Sequence, residues 1–150
     1  MAYWLMKSEP SVYGIDDLAR DRRTTWDGVR NYQVRNMMRD GMQPGDEAFF
    51  YHSSCDEPGI VGIMAIVAQA LPDATQFDPK SEYYDPKSNR AEPRWLTVEV
   101  EFRRRLPRVI GLDELRGVKA LAGLPVLRRG NRLSVTPVQP AEWRAILALP

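Results

Sequence analysis

Residues 60–70 read I-V-G-I-M-A-I-V-A-Q-A, an apolar run broken by a single amide. It shows no polar alternation, and Ile and Val dominate it. A short run of branched apolar side chains between turn residues is a strand buried on both faces. Gly62 inside it marks a bulge or a close approach of another backbone. The rest of the chain must therefore pack against both sides of one central strand.

Other segments supply the remaining layers. Ala2–Lys7 and Glu47–His52 read as short strands rich in aromatic residues. From Arg94 to Arg103, Leu96, Val98, Val100 and Phe102 alternate with Thr97, Glu99, Glu101 and Arg103, the pattern of a half-exposed strand. Leu133–Val135 is a further short strand. Helices are expected at Ile15–Arg20, at Asn31–Arg39, at Leu112–Arg116 and from Pro140, with Trp143, Ile146 and Leu147 as the last one's buried stripe. Gln43-Pro44-Gly45-Asp46 specifies a type II turn. Pro72, Pro79, Pro86 and Pro93 break residues 71–93, yet Phe77, Tyr83 and Tyr84 in that stretch predict an ordered loop over a ligand mouth. The expected architecture is one α+β domain over 1–150. It has five or six strands without regular βα alternation, forming a small mixed β-barrel among short helices.

Composition narrows the function classes. Net charge is +1, so nothing global marks a nucleic-acid binder. The charge is uneven, however. Residues 101–150 hold ten Lys/Arg against four Asp/Glu, with Arg103, Arg104, Arg105, Arg108, Arg128, Arg129 and Arg132 prominent. That half either meets phosphate or presents solvated strand ends. The lone Cys55 excludes an intramolecular disulfide, and no apolar run reaches the roughly 20 residues that span a bilayer. A soluble, reducing compartment, the cytoplasm, is expected, with a monomer favoured.

Residues 25–39, T-W-D-G-V-R-N-Y-Q-V-R-N-M-M-R, combine a turn with a helix entrance. Asp27-Gly28 favours chain reversal, and Asn31 is a good cap for a helix whose apolar face is Val34, Met37 and Met38. Trp26, Arg30 and Asn31 thus meet where backbone N–H groups are unpaired. They either hold a flat polar ligand or serve as core residue and cap. Lys7-Ser8 and His52-Ser53 end two apolar strands, and side by side they would line the same pocket. Covalent and metal chemistry lack a signature. His52 and Cys55 are the only residues of their type, too few for a zinc site, and no phosphate-binding loop or nucleophile elbow is present. No cofactor is expected.

Several strings together resemble the EVE domain, the thymocyte nuclear protein family. They are Y-W-L-M-K-S-E-P at 3–10, W-D-G-V-R-N-Y-Q-V-R-N at 26–36, P-G-D at 44–46, F-Y-H-S at 50–53, Y-Y-D-P-K-S at 83–88, P-R-W at 93–95 and R-R-G-N-R-L-S-V at 128–135. This family lies in the PUA superfamily, beside YTH and ASCH domains. The resemblance runs in order over nearly the whole chain and suggests a stand-alone, bacterial form. It implies a PUA-like fold and binding of a modified base, a 5-substituted cytosine in DNA or a modified nucleotide in RNA, taken out of its stack. Trp26 would be the stacking wall, with Ser8, Arg30, Asn31, His52 and Ser53 around the base. Lys7, Tyr32, Tyr84, Arg129, Arg132 and Ser134 would form the rim or hold the backbone. Trp26→Ala is then expected to abolish binding and leave a folded chain. Two other classes stay open. One is an enzyme on modified nucleic acid or nucleosides with His52 as general base. The other is a small-metabolite or protein-interaction module.

Overall fold

The computed structural model describes residues 1–150. In chain order its elements are β1 (Tyr3–Ser8), α1 (Ile15–Asp21), β2 (Arg23–Thr25), α2 (Tyr32–Asn36), β3 (Glu47–His52), β4 (Gly59–Pro72), β5 (Leu96–Gly111), α3 (Leu112–Arg116), β6 (Val135–Val138) and α4 (Pro140–Leu147). The six strands form one mixed sheet in the order β2-β5-β4-β3-β1-β6. Every pairing is antiparallel except β1 with β3. The fold is α+β and PUA-like. Its sheet is barrel-like without being closed, because β2 and β6 remain edges.

The apolar run forms most of β4, the strand flanked by β3 and β5. Val61, Met64 and Ile66 enter a core with Ile15 and Leu18 of α1, Trp26, Val34 and Met38. Ile60 and Ile63 enter a second core with Leu115 of α3, Leu121, Leu124, and Trp143 and Ile146 of α4. Helices thus cover both faces, as continuous hydrophobicity requires. Gly62 serves both of its expected roles. The β4–β5 register shifts between Ile60 and Gly62. A Cβ at Gly62 would sit 2.5 Å from Ile15 Cδ1 and 3.0 Å from the Arg104 carbonyl oxygen. The bare backbone is what lets α1 lie on the strand.

Local signals place several elements where the sequence puts them. Asn31 Oδ1 accepts from Val34 N at 3.0 Å, capping α2. Asp46 N donates to Gln43 O at 3.0 Å, closing the expected turn. Other elements differ. The helix expected at 31–39 is α-helical only to Asn36 and continues as a π-turn over Met37–Gly41. β5 runs to Gly111, beyond the expected end at Arg103. Its register against β4 jumps from Arg105 to Ile110, so Pro107 falls in an unpaired bulge where its missing N–H costs no ladder bond. β2 was not legible, being a three-residue edge strand. β6 begins at Val135 instead of ending there, and tolerates Pro137 because it too is an edge. In α4, Trp143 and Ile146 are buried, but Leu147 is 39% exposed and leaves the expected stripe.

Candidate functional site

Parallel pairing of β1 with β3 sets Ser8 beside His52 at the ends of two strands. The flanking segments lock on in turn. Ser53 N donates to Ser8 O at 3.1 Å, and Lys7 N donates to Ser134 O at 2.8 Å. Across from them, Trp26 N donates to Val98 O at 2.9 Å, while the Thr97 hydroxyl donates to the Trp26 carbonyl. The chain then reverses at Asp27-Gly28, with Gly28 at φ +83°. These segments enclose a cavity of about 950 Å³, within the size range of small-ligand sites.

Eight of the twelve expected site residues line this cavity: Lys7, Ser8, Trp26, Arg30, Asn31, Ser53, Arg132 and Ser134. His52, Tyr32, Tyr84 and Arg129 do not line it. Instead, His52 Nε2 accepts from Ile15 N at 3.1 Å, satisfying an N–H at the start of α1. Burial holds its pKa below the ordinary 6.5, partly opposed by Asp16. The nitrogen a general base would use is already occupied. Tyr32 stacks on Trp95 with ring centres 4.7 Å apart, and Tyr84 points to solvent.

The lining groups differ in what they leave free. Ser8 Oγ donates to Tyr13 O at 2.6 Å, so its oxygen remains as an acceptor. Asn31 has spent its oxygen on the α2 cap and retains its amide N–H donors. Lys7 brings an ammonium whose pKa burial lowers. Tyr13, also on the wall, has its hydroxyl pushed up to about 12 by burial and by Asp21, and stays protonated. Trp26 is only 8% exposed and meets Phe50 edge-on at 5.4 Å. It is both a core residue and part of the wall. Its removal would therefore disturb packing as well as any ligand contact, contrary to the expectation of an intact Trp26→Ala protein.

Arg30, expected around the base, lines the cavity with its guanidinium already engaged by the protein. Its guanidinium donates to Tyr83 O at 2.7 and 3.1 Å, to Val29 O at 2.8 Å, to Thr75 Oγ1 at 3.1 Å and to Asp73 Oδ2 at 3.1 Å. Asp73, 2% exposed in its side chain, also accepts from Gly28 N at 2.8 Å. Buried Gln76 pins the rest of the loop, donating to Asp73 O and Trp95 O and accepting from Trp95 N and Ser88 Oγ. The proline-broken segment is thus an ordered wall, as its aromatics implied. The aromatic it contributes to the cavity is Tyr83, packed where a Gly28 Cβ would stand 2.7 Å from its ring. Planar groups stack outward from there: Tyr83, Arg30, Trp95, Tyr32 and Arg35. Asp73 and Gln76 went unrecognised in the sequence because their partners lie far along the chain, and Tyr83 was read as part of the ordered loop without being assigned to the site.

The basic half divides in two. Arg103 pairs with Glu101, Arg105 with Asp16 at 2.6 Å and Arg108 with Glu114 at 2.6 Å. Arg128, Arg129 and Arg132 have no acidic partner, and they flank the turn at Gly130. Uncompensated cations therefore collect at the cavity's Arg132 edge, where a polyanion would be held.

Comparison with known proteins finds matches over nearly the whole chain. The EVE domain family model matches residues 2–149. Thymocyte nuclear protein 1 of Homo sapiens is 45% identical over 166 aligned positions, which cover 99% of this chain and 73% of that protein. A crystal structure from Pseudomonas syringae superposes with a TM-score of 0.94 at 50% identity, covering 98% of each chain. Human THYN1 in complex with 5-methylcytosine containing DNA superposes with a TM-score of 0.87 at 44% identity, covering 98% of this chain and 96% of that one.

Proposed function

The chain belongs to the EVE domain family, and on that premise we propose that it is a non-catalytic reader of a modified base, a 5-substituted cytosine in DNA. The observation that carries the proposal is the mostly polar cavity beside Trp26 and Tyr83, with unspent donors and acceptors and arginines without acidic partners at one edge. Its support from outside the chain is the likeness to human THYN1 in complex with 5-methylcytosine containing DNA. An unstacked cytosine enters and packs against Trp26 and Tyr83. Ser8, Asn31 and Ser53 meet its edge, and Lys7, Arg132 and Ser134 meet the sugar-phosphate. The protein acts on cytoplasmic DNA as a monomer, without metal or cofactor.

Magnitudes bound the selectivity. Stacking a base on an aromatic is worth about 1–3 kcal/mol. Burying one added methyl is worth about 0.8 kcal/mol, so methylation alone changes affinity only several-fold. Phosphate contacts supply the remainder and weaken with salt.

The test is an equilibrium titration of short DNA and RNA strands carrying one cytosine that is plain, 5-methylated or 5-hydroxymethylated, at low and physiological salt. A preference for a modified DNA strand that is lost in Trp26→Leu, which keeps an apolar side chain in the core and removes the stacking ring, is the expected result. Preference for modified RNA would move the reading to an RNA reader. Equal binding to every strand, vanishing with salt, would refute a base-reading cavity.

A further inference from the structure

Thymine and 5-methylcytosine carry the same methyl on the same ring. Stacking on Trp26 and a methyl contact cannot tell them apart. They differ at C4, where cytosine presents an amino donor and thymine a carbonyl acceptor. A cavity that admits one and rejects the other needs an acceptor at that edge with no protein donor already on it.

Most lining groups fail that requirement. Arg30, Lys7 and Arg132 are donors, and Asn31 has spent its oxygen on Val34 N. Glu82 lies beside the Tyr83 hydroxyl, whose pKa it helps to raise, and belongs to the loop wall, far from Trp26 in sequence. Asp27 is different. It lines the cavity directly after Trp26, and no other residue donates to its carboxylate. Both of its neighbours are fixed, Trp26 by β5 through Val98 and Thr97, and Gly28 by Asp73. The carboxylate therefore rides on a rigid turn and loses little freedom on binding. Loss of water at the cavity wall, and then Asp73 nearby, push its pKa above the ordinary carboxylate value, although solvent reaches it through the cavity mouth.

We propose that Asp27 is the specificity-determining residue that separates cytosine from thymine, its carboxylate accepting a hydrogen bond from the 4-amino group of the base in the cavity. The assignment rests on the modified-cytosine reading above. With thymine, carbonyl oxygen faces carboxylate oxygen, and neither can donate.

The experiment uses single strands, so that no base pair biases the comparison, with cytosine, 5-methylcytosine or thymine at one position. Wild type is compared with Asp27→Asn and Asp27→Ala, and thermal melts report folding. A well-formed polar base contact gives discrimination of about 5- to 150-fold, so wild type should favour 5-methylcytosine over thymine within that range. Asn has the shape of Asp but turns either oxygen or amide to the ligand. Asp27→Asn should bind both methylated bases within about twofold of each other while retaining affinity for 5-methylcytosine. Asp27→Ala should reach the same equality through weaker 5-methylcytosine binding. If both variants keep the wild-type ratio of 5-methylcytosine to thymine, the assignment to Asp27 is overturned while the reader function stands. If wild type fails to separate cytosine from 5-methylcytosine as well, the reader function falls and takes this assignment with it.

Discussion

Replacing Asp73 by Asn tests whether the wall around the cavity is held by charge or merely by shape. Each Asp73 oxygen takes two donors: Oδ1 from Thr75 N at 2.9 Å and Thr75 Oγ1 at 2.5 Å, Oδ2 from Gly28 N at 2.8 Å and Arg30 Nη1 at 3.1 Å. Only an ionised carboxylate accepts at both positions. An amide of the same size must turn its NH2 toward one pair of donors, losing two hydrogen bonds and setting donor against donor. Hydrogen bonds to charged groups are worth about 1.5–3 kcal/mol each. Breaking a buried ion pair costs about 3–5 kcal/mol. Arg30 is 21% exposed in its side chain and keeps its bonds to the carbonyls of Val29 and Tyr83, which relieves part of this cost. A net loss of about 3 kcal/mol is therefore expected, a large share of a typical total of about 5–15 kcal/mol. It corresponds to a fall of roughly 6–12 °C in Tm for a domain this size. Urea unfolding of the two proteins at neutral pH measures it. A loss under about 1 kcal/mol with an unchanged denaturant slope would show that the polar cluster is not what orders the loop.

Three further outcomes follow from the same geometry. Gly28→Ala places a Cβ 2.7 Å from the Tyr83 ring at φ +83°, and should cost about 2–4 kcal/mol in urea unfolding from left-handed backbone strain and overpacking; an unchanged midpoint would mean that Tyr83 is free to move aside. His52 has a folded pKa below its unfolded 6.5, so the unfolded chain binds the extra proton first, and stability should fall as pH drops through 6.5 toward the folded value and level off below it. A ring titration of His52 by NMR at or above 6.5 would contradict this, and His52→Gln should flatten the decline. Neutralising Arg128, Arg129 and Arg132 together should weaken binding to all DNA sequences alike and make the salt dependence shallower, whereas a change in base preference would mean that one of them reads the base instead of the backbone.

What could be read from the sequence was what is encoded locally. Asp27-Gly28, the Asn31 cap and the Pro44-Gly45 turn each state their own geometry within four residues. The run at 60–70 announces a two-sided strand because only branched apolar residues fill it. The cavity was legible as strand ends with polar tips, and the resemblance to the EVE domain joined them. Pairing was not legible: nothing in Leu5 or Phe49 says that β1 and β3 run parallel. The full length of β5 was hidden by Pro107 and three arginines, since a bulge makes them tolerable only once β4 is in place. Arg30 read as a residue around the base because its four acceptors lie in residues 29 and 73–83. His52 read as an available base because the N–H of Ile15, which claims it, is brought there by tertiary packing.

The placement of β1 between β3 and β6 has a consequence for the order in which the molecule can be made. Residues 23–111 contain β2, β3, β4 and β5, whose mutual pairings need nothing beyond them. By contrast, the Lys7 N–H meets the Ser134 carbonyl, and Tyr3 pairs with Val138, across almost the entire chain. Closing so long a loop is slow relative to hairpin formation. A growing chain on the ribosome holds its first strand with one edge unpaired until β6 emerges. The Arg132–Ser134 side of the cavity arrives in the same step. The nascent protein thus acquires its arginine-bearing edge only when synthesis of the fold is nearly finished, and a chain cut before residue 135 would lack β6 and α4, leaving β1 uncovered, the second core open on Phe49 and the cavity incomplete.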